Sequence, residues 1–264
     1  MIRRTSLKGA ALKNTVLAGM ACLAFAAPAI AQSPVEFFPS TRFFMGAEHL
    51  STDSVHYKWR ADFHGDVDLA SWAHGGRATF LTNYEVVLGN DFRRFDPEQG
   101  NYQIDGSVSQ QVHGVEVSAV FHHLSRHLSD RGKRQAVDWN TWGVRAKRTF
   151  TRGPVAVTVQ GDFRDVIAKS FVDYRNETEG RANLTWQWRP RIGFMSNNRV
   201  RVVGVDGTGN RGTQTEARTE GGVRFSGAGG EVELYLAGER RIDPDLLTLG
   251  GRSWFAAGFR LRSR

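Results

Sequence analysis

Cysteine is almost missing from this chain: Cys22 is the only one in 264 residues, and it stands inside an apolar N-terminal run. Beyond that run there can be no disulfide framework, no thiolate metal centre and no cysteine nucleophile. A long apolar segment is missing too, since nothing after the N-terminus approaches the ~20 residues that carry a helix across a bilayer. Nor is there a concentrated charge of one sign. The formal charge is +8, but Arg3, Arg4, Lys8 and Lys13 supply half of it, and the remaining excess is too small and too dispersed to argue for a nucleic-acid partner.

What is present begins with those four basic residues, which precede an apolar run from Val16 to Ala27, then Pro28 and the small-residue pattern Ala29-Ile30-Ala31. That order predicts a secretory signal over residues 1–31, cleaved after Ala31, followed by one domain over 32–264.

The rest alternates. From Tyr57 to Leu69 the odd positions run Tyr, Trp, Ala, Phe, Gly, Val, Leu, while the even positions are Lys58, Arg60, Asp62, His64, Asp66 and Asp68. A strand sends successive side chains to opposite faces, so this spacing gives one apolar and one charged face. The same two-residue period recurs around Ala78–Leu88, Tyr102–Val108, Val115–Phe121, Trp142–Ala146, Val155–Val159, Ala182–Trp188, Ala217–Phe225, Val232–Leu236 and Phe255–Leu261. With less regular segments near Arg42–Leu50 and Arg191–Val205, the count is about twelve strands, most of ~10–14 residues. No helix is required.

Amphipathic strands in this number form either a soluble sandwich or barrel with apolar faces inward, or a membrane barrel with apolar faces toward lipid. The polar faces decide between them. Arg145 and Lys147, Asp162 and Arg164, and Glu216, Arg218 and Glu220 mix signs at regular spacing, as suits a polar lumen. Trp59, Tyr102, Trp142, Trp186, Trp188 and Trp254 near strand ends suit interfacial aromatic girdles. The prediction is therefore an all-β protein, an antiparallel up-and-down transmembrane β-barrel of about twelve strands in the bacterial outer membrane. Its expected partners are outer-membrane lipid or lipopolysaccharide, with periplasmic chaperones and the barrel-assembly machinery during biogenesis. Long connections near 90–100, 126–137 and 168–176, against tight turns at His113-Gly114 and Gly153-Pro154, put the long loops outside. The chain departs from the usual terminal aromatic residue, ending Arg262-Ser263-Arg264.

One stretch stands apart. In "FHHLSRHLSD", Phe121 to Asp130, the tripeptide His-Leu-Ser occurs twice, and a third copy lies at His49-Leu50-Ser51. Val115, Val117, Ala119 and Phe121 set the odd positions toward lipid, so His123 and Ser125 are expected to point outward near the outer surface. A histidine two residues from a serine on one strand face can serve as its general base if a third group orients the ring, and Asp130 and Asp138 are the nearby acids. Four-residue spacing leaves His123 and His127 ~13 Å apart along a strand, so no metal site is expected there, and no cofactor. The bland reading puts His122, His123 and His127 in the polar interfacial band, touching headgroups or pairing with His49 and Asp53.

On that His-x-Ser pair, the segment resembles the lipid A deacylase family of outer-membrane barrels, whose Ser-His-Glu triad removes an acyl chain. The resemblance implies His123 as base and Ser125 as nucleophile. It departs in having Arg126 where the family has Asn, an aspartate rather than Glu as the acid, and more than that family's eight strands. The longer string also resembles a group of uncharacterised exported barrels with an "HQSSHLGD"-like segment. Three functions are thus in view: a structural or small-solute barrel, a lipid A hydrolase using His123 and Ser125, and a narrow channel.

Overall fold

The protein is seen in a computed structural model that describes residues 35–129, 136–207, 209, 211–245 and 248–263. The expected signal segment and Asp130 lie outside the described residues. Twelve strands follow in chain order: β1 (Glu36–Ser51), β2 (Trp59–Trp72), β3 (Gly76–Gly89), β4 (Asp96–Val112), β5 (Val115–Leu128), β6 (Val137–Arg152), β7 (Val155–Ser170), β8 (Tyr174–Arg189), β9 (Ile192–Val205), β10 (Gln214–Ser226), β11 (Glu231–Ile242) and β12 (Gly251–Arg262). Each pairs antiparallel with the next, and β12 returns to β1 with Phe44 opposite Arg262 and Ser51 opposite Phe255, closing the barrel. The strands run from 12 to 17 residues, most of them within the expected length and β1, β4, β6, β7 and β8 beyond it.

The two-residue period is realised as read. Phe255, Leu236, Val144, Phe63 and Ile104 are exposed on the outer surface, while Glu48, Glu233, Glu239 and Arg60 are buried inside. Apolar side chains exposed around a whole barrel far exceed the few hundred Å² of patch a soluble monomer shows, so this belt meets hydrocarbon. Aromatic residues gather toward both ends. Trp186, Trp188 and Phe194 cluster near the β8–β9 turn, and Tyr84 stacks on Tyr102 at 4.6 Å toward the other end.

Short hairpins join strands at one end. His113 (φ 49°) and Gly114 (φ 78°) both adopt left-handed backbone, the two-residue connection that matches the twist of flanking strands, and Gly153 (φ 57°) leads the β6–β7 turn. The opposite end carries longer connections at 52–58, 90–95 and 206–213. One expectation is corrected: the connection placed near 168–176 spans only residues 171–173, because the end of β7 runs on along β6, Ser170 opposite Asp138, and β8 begins beside β9, Tyr174 opposite Val205.

Ion pairs fill the lumen. Arg60 lies between Glu48 and Glu239, 2.7 Å from the latter, and Arg218 joins the same carboxylates at 2.6 and 2.7 Å. Arg260 continues the chain to Glu220 and Glu233 at 3.1 and 2.8 Å. Toward the long-loop end Trp139, Tyr174, Val203 and Ile242 are fully buried, and Arg211 bridges Asp173 and Asp243 at 3.1 and 2.7 Å. Burial pulls the Arg211 guanidinium down, but the Asp243 hydrogen bond and charge leave it raised. Between these groups remains a cavity of about 780 Å³ lined by charged residues including Arg145, Arg181, Arg199 and Arg262.

Candidate functional site

β5 carries the histidine–serine stretch to the long-loop end, and it divides its side chains sharply. His122 turns inward, its Nδ1 2.5 Å from the Asp105 carboxylate, and is buried. Arg126 also turns inward, lies over the Trp139 ring at 5.2 Å and donates to the Asp243 carbonyl. This corrects the grouping of His122 with an interfacial band: even positions of β5 belong to the lumen, and strand parity separates neighbours that the sequence sets side by side. His49 likewise stands apart, edge-on to Trp59 at 4.9 Å.

The odd positions face outward and come together with residues from both neighbouring strands. Ser125 pairs with Tyr102 on β4 and with Asp138 on β6. His123 pairs with Asn140 on β6, and its Nδ1 is 2.7 Å from Asn140 Oδ1. His127 Nε2 stands 3.4 Å from Ser125 Oγ, and the His127 ring meets Tyr102 edge-on at 5.4 Å. Asp138 has no hydrogen-bond or ion-pair partner among the described residues. Of the residues the sequence singled out, the structure therefore places His123, Ser125 and Asp138 on one outward face.

Asn140 was not legible. Its contact with His123 depends on the β5–β6 register, which no composition signal marks. Chemically it is the informative neighbour. A His123 Nδ1–H donating to Asn140 Oδ1 fixes the tautomer in which Nε2 bears a lone pair, the state a general base needs. Ring and serine sit two residues apart on one strand face, ~7 Å between Cα atoms, within reach of an imidazole once Ser125 Oγ rotates from His127 toward His123.

The second place where ionisable groups converge lies in the long loops. His56 Nδ1 is 2.9 Å from Glu98 Oε2 and 3.9 Å from Asp91 Oδ2. Beside it, burial pushes the Tyr57 hydroxyl up to about 12, while Gln99 Nε2 donates to that oxygen at 3.0 Å.

A closed twelve-stranded barrel with an apolar exterior and an ionic lumen defines a bacterial outer-membrane β-barrel protein, and this chain is one. No protein-family model matches it, and no curated protein matches its sequence. Solved structures do match its fold. The outer membrane phospholipase of Salmonella typhi is similar over 88% of this chain and 93% of its own, at 12% identity and a TM-score of 0.53. Phospholipase A from Escherichia coli is similar over 89% and 99%, at 12% identity and a TM-score of 0.52. An outer membrane channel from Pseudomonas putida F1 is similar over 90% and 99%, at 11% identity and a TM-score of 0.49.

Proposed function

We propose that the protein hydrolyses an acyl ester of a membrane lipid at the outer end of the barrel, with Ser125 as nucleophile, His123 as base and Asn140 as the group that positions the ring. The observation that carries this reading is the 2.7 Å bond from His123 to Asn140 on the face that also presents Ser125. Polar side chains facing lipid are costly, and a hydrogen-bonded His-Asn pair beside a serine is a specific use for that cost. The phospholipases similar in fold add support at the level of architecture, since proteins of similar fold carry out lipid hydrolysis.

In the proposed reaction Ser125 Oγ attacks the ester carbonyl as His123 Nε2 takes its proton. The tetrahedral intermediate collapses, the alcohol of the lipid leaves with that proton, and water then releases the fatty acid from the serine ester. Asp138, opposite Ser125, puts a negative charge where the substrate headgroup would lie. It favours an ammonium-bearing glycerophospholipid over the phosphorylated sugar of lipid A, which is the substrate that the His-x-Ser resemblance implies.

Mass spectrometry of membrane lipids from cells expressing the wild type and His123→Gln tests this. The expected result is free fatty acid and lysophospholipid raised only by the wild type. Deacylated lipid A instead would move the substrate to lipopolysaccharide, and unchanged lipids in both would remove the hydrolase reading.

A further inference from the structure

We propose that His56, Asp91 and Glu98 form a binding site for a zinc-type divalent cation on the extracellular side of the barrel. The three residues come from three places in the chain: the β1–β2 connection, the β3–β4 connection and the start of β4. Their ligand atoms, one imidazole nitrogen and one oxygen from each carboxylate, all lie within 4.8 Å of one another. Two ligands each about 2.1 Å from an ion and at a tetrahedral angle stand about 3.4 Å apart. The 2.9 Å and 3.9 Å separations from His56 Nδ1 bracket that value, so small side-chain rotations suffice.

The backbone holds this arrangement in place independently of any ion. Asn90 N donates to Val55 O at 2.7 Å and Lys58 N to Leu88 O at 2.9 Å, which ties the loop carrying His56 against the chain entering Asp91. Val87 pairs with Gln99 and Leu88 with Pro97, leaving Glu98 as the extra residue of a bulge. A bulge re-aims a side chain, and here it sends the Glu98 carboxylate into the loops, where the residue is only 1% exposed. Gly89 completes the fit. A Cβ there would stand 2.4 Å from Glu98 Oε1 and 2.5 Å from Val55 O, so only glycine lets this carboxylate sit at that depth.

The donor set names the class of ion. Imidazole suits zinc and its first-row neighbours, whereas calcium and magnesium prefer sites made of oxygen alone. Three protein ligands leave a fourth tetrahedral position, and the side chains of His56 and Asp91, 30% and 34% exposed, leave it open to the outside. The competing account is a plain His56–Glu98 ion pair with Asp91 nearby by chance. A pair of that kind binds no metal and needs no third ligand.

There is also a mechanical consequence. Ser129 N, just past the end of β5, donates to the Glu98 carbonyl at 3.0 Å, so an ion that fixes Glu98 also fixes the strand end bearing His127.

The test is calorimetric titration of the refolded barrel in detergent with zinc chloride, beside calcium chloride as the control. Saturable binding of one zinc per barrel is expected, with a rise in the unfolding temperature. Affinity should fall at least tenfold in each of His56→Gln and Asp91→Asn, and calcium at the same concentration should give no rise. Heat-modifiable electrophoretic mobility verifies that each variant is a folded barrel, and Asp91→Asn, at an exposed loop position, keeps the test open should His56→Gln not fold. No saturable zinc binding by the wild type, or equal affinity in folded His56→Gln or Asp91→Asn, would overturn the site.

Discussion

Ser125→Ala is expected to lower hydrolysis of a glycerophospholipid in mixed micelles by at least ~10³-fold while leaving the barrel folded. Removing the nucleophile of a triad leaves only binding and electrostatic help, which accounts for the size of the loss. Folding should survive, since the one hydrogen-bonding approach to Ser125 Oγ among the described residues is that of His127 at 3.4 Å, on the outer surface of the strand. His123→Ala should lose about as much, and the double variant no more than either alone, because residues acting as one unit are not additive. Asn140→Ala should cost less, as it frees the ring without removing the base. The readout is fatty acid released per barrel, with heat-modifiable mobility as the folding control. Additive losses in the double variant would mean that His123 and Ser125 act separately.

Arg60→Met is expected to give the largest loss of stability of any single change in the lumen. Arg60 is 5% exposed and contacts Glu48, Glu239 and, at 3.7 Å, Glu85. Taking it away leaves Arg218 as the remaining cation on Glu48 and Glu239 among the described residues, with the Tyr235 hydroxyl donating to Glu48 at 3.1 Å. Breaking a buried pair from one side costs about 3–5 kcal/mol, because a charge is left uncompensated. Adding Glu239→Gln to Arg60→Met should recover part of that loss, since it removes the stranded charge while keeping the shape. Denaturant unfolding in detergent measures both variants. No recovery in the double variant would mean that Arg60 acts by packing rather than by charge.

Much of this architecture is legible in the chain. A two-residue period from Trp59 to Leu69 and in its counterparts places Arg60, Asp62 and His64 in the lumen, and Ala61, Phe63 and Val67 toward lipid, without coordinates. The same parity sends His123 and Ser125 outward. What the period cannot supply is register, the relation between strands. Asn140 reaches His123, and Asp138 stands across from Ser125, only because β6 pairs with β5 at one offset. His122 was misplaced for a related reason: adjacency in sequence is opposition in a strand. Glu98 was hidden by its bulge, since an extra residue breaks the alternation at the point where it re-aims a side chain.

The most direct measurement of the central claim is labelling of the intact barrel with a long-chain fluorophosphonate, which phosphonylates only a serine activated by a base, followed by peptide mass spectrometry. One label on Ser125, absent in His123→Gln and slowed in Asn140→Ala, is the predicted result. A wild-type barrel that stays unlabelled, or labels equally in His123→Gln, would contradict an outward-facing catalytic serine.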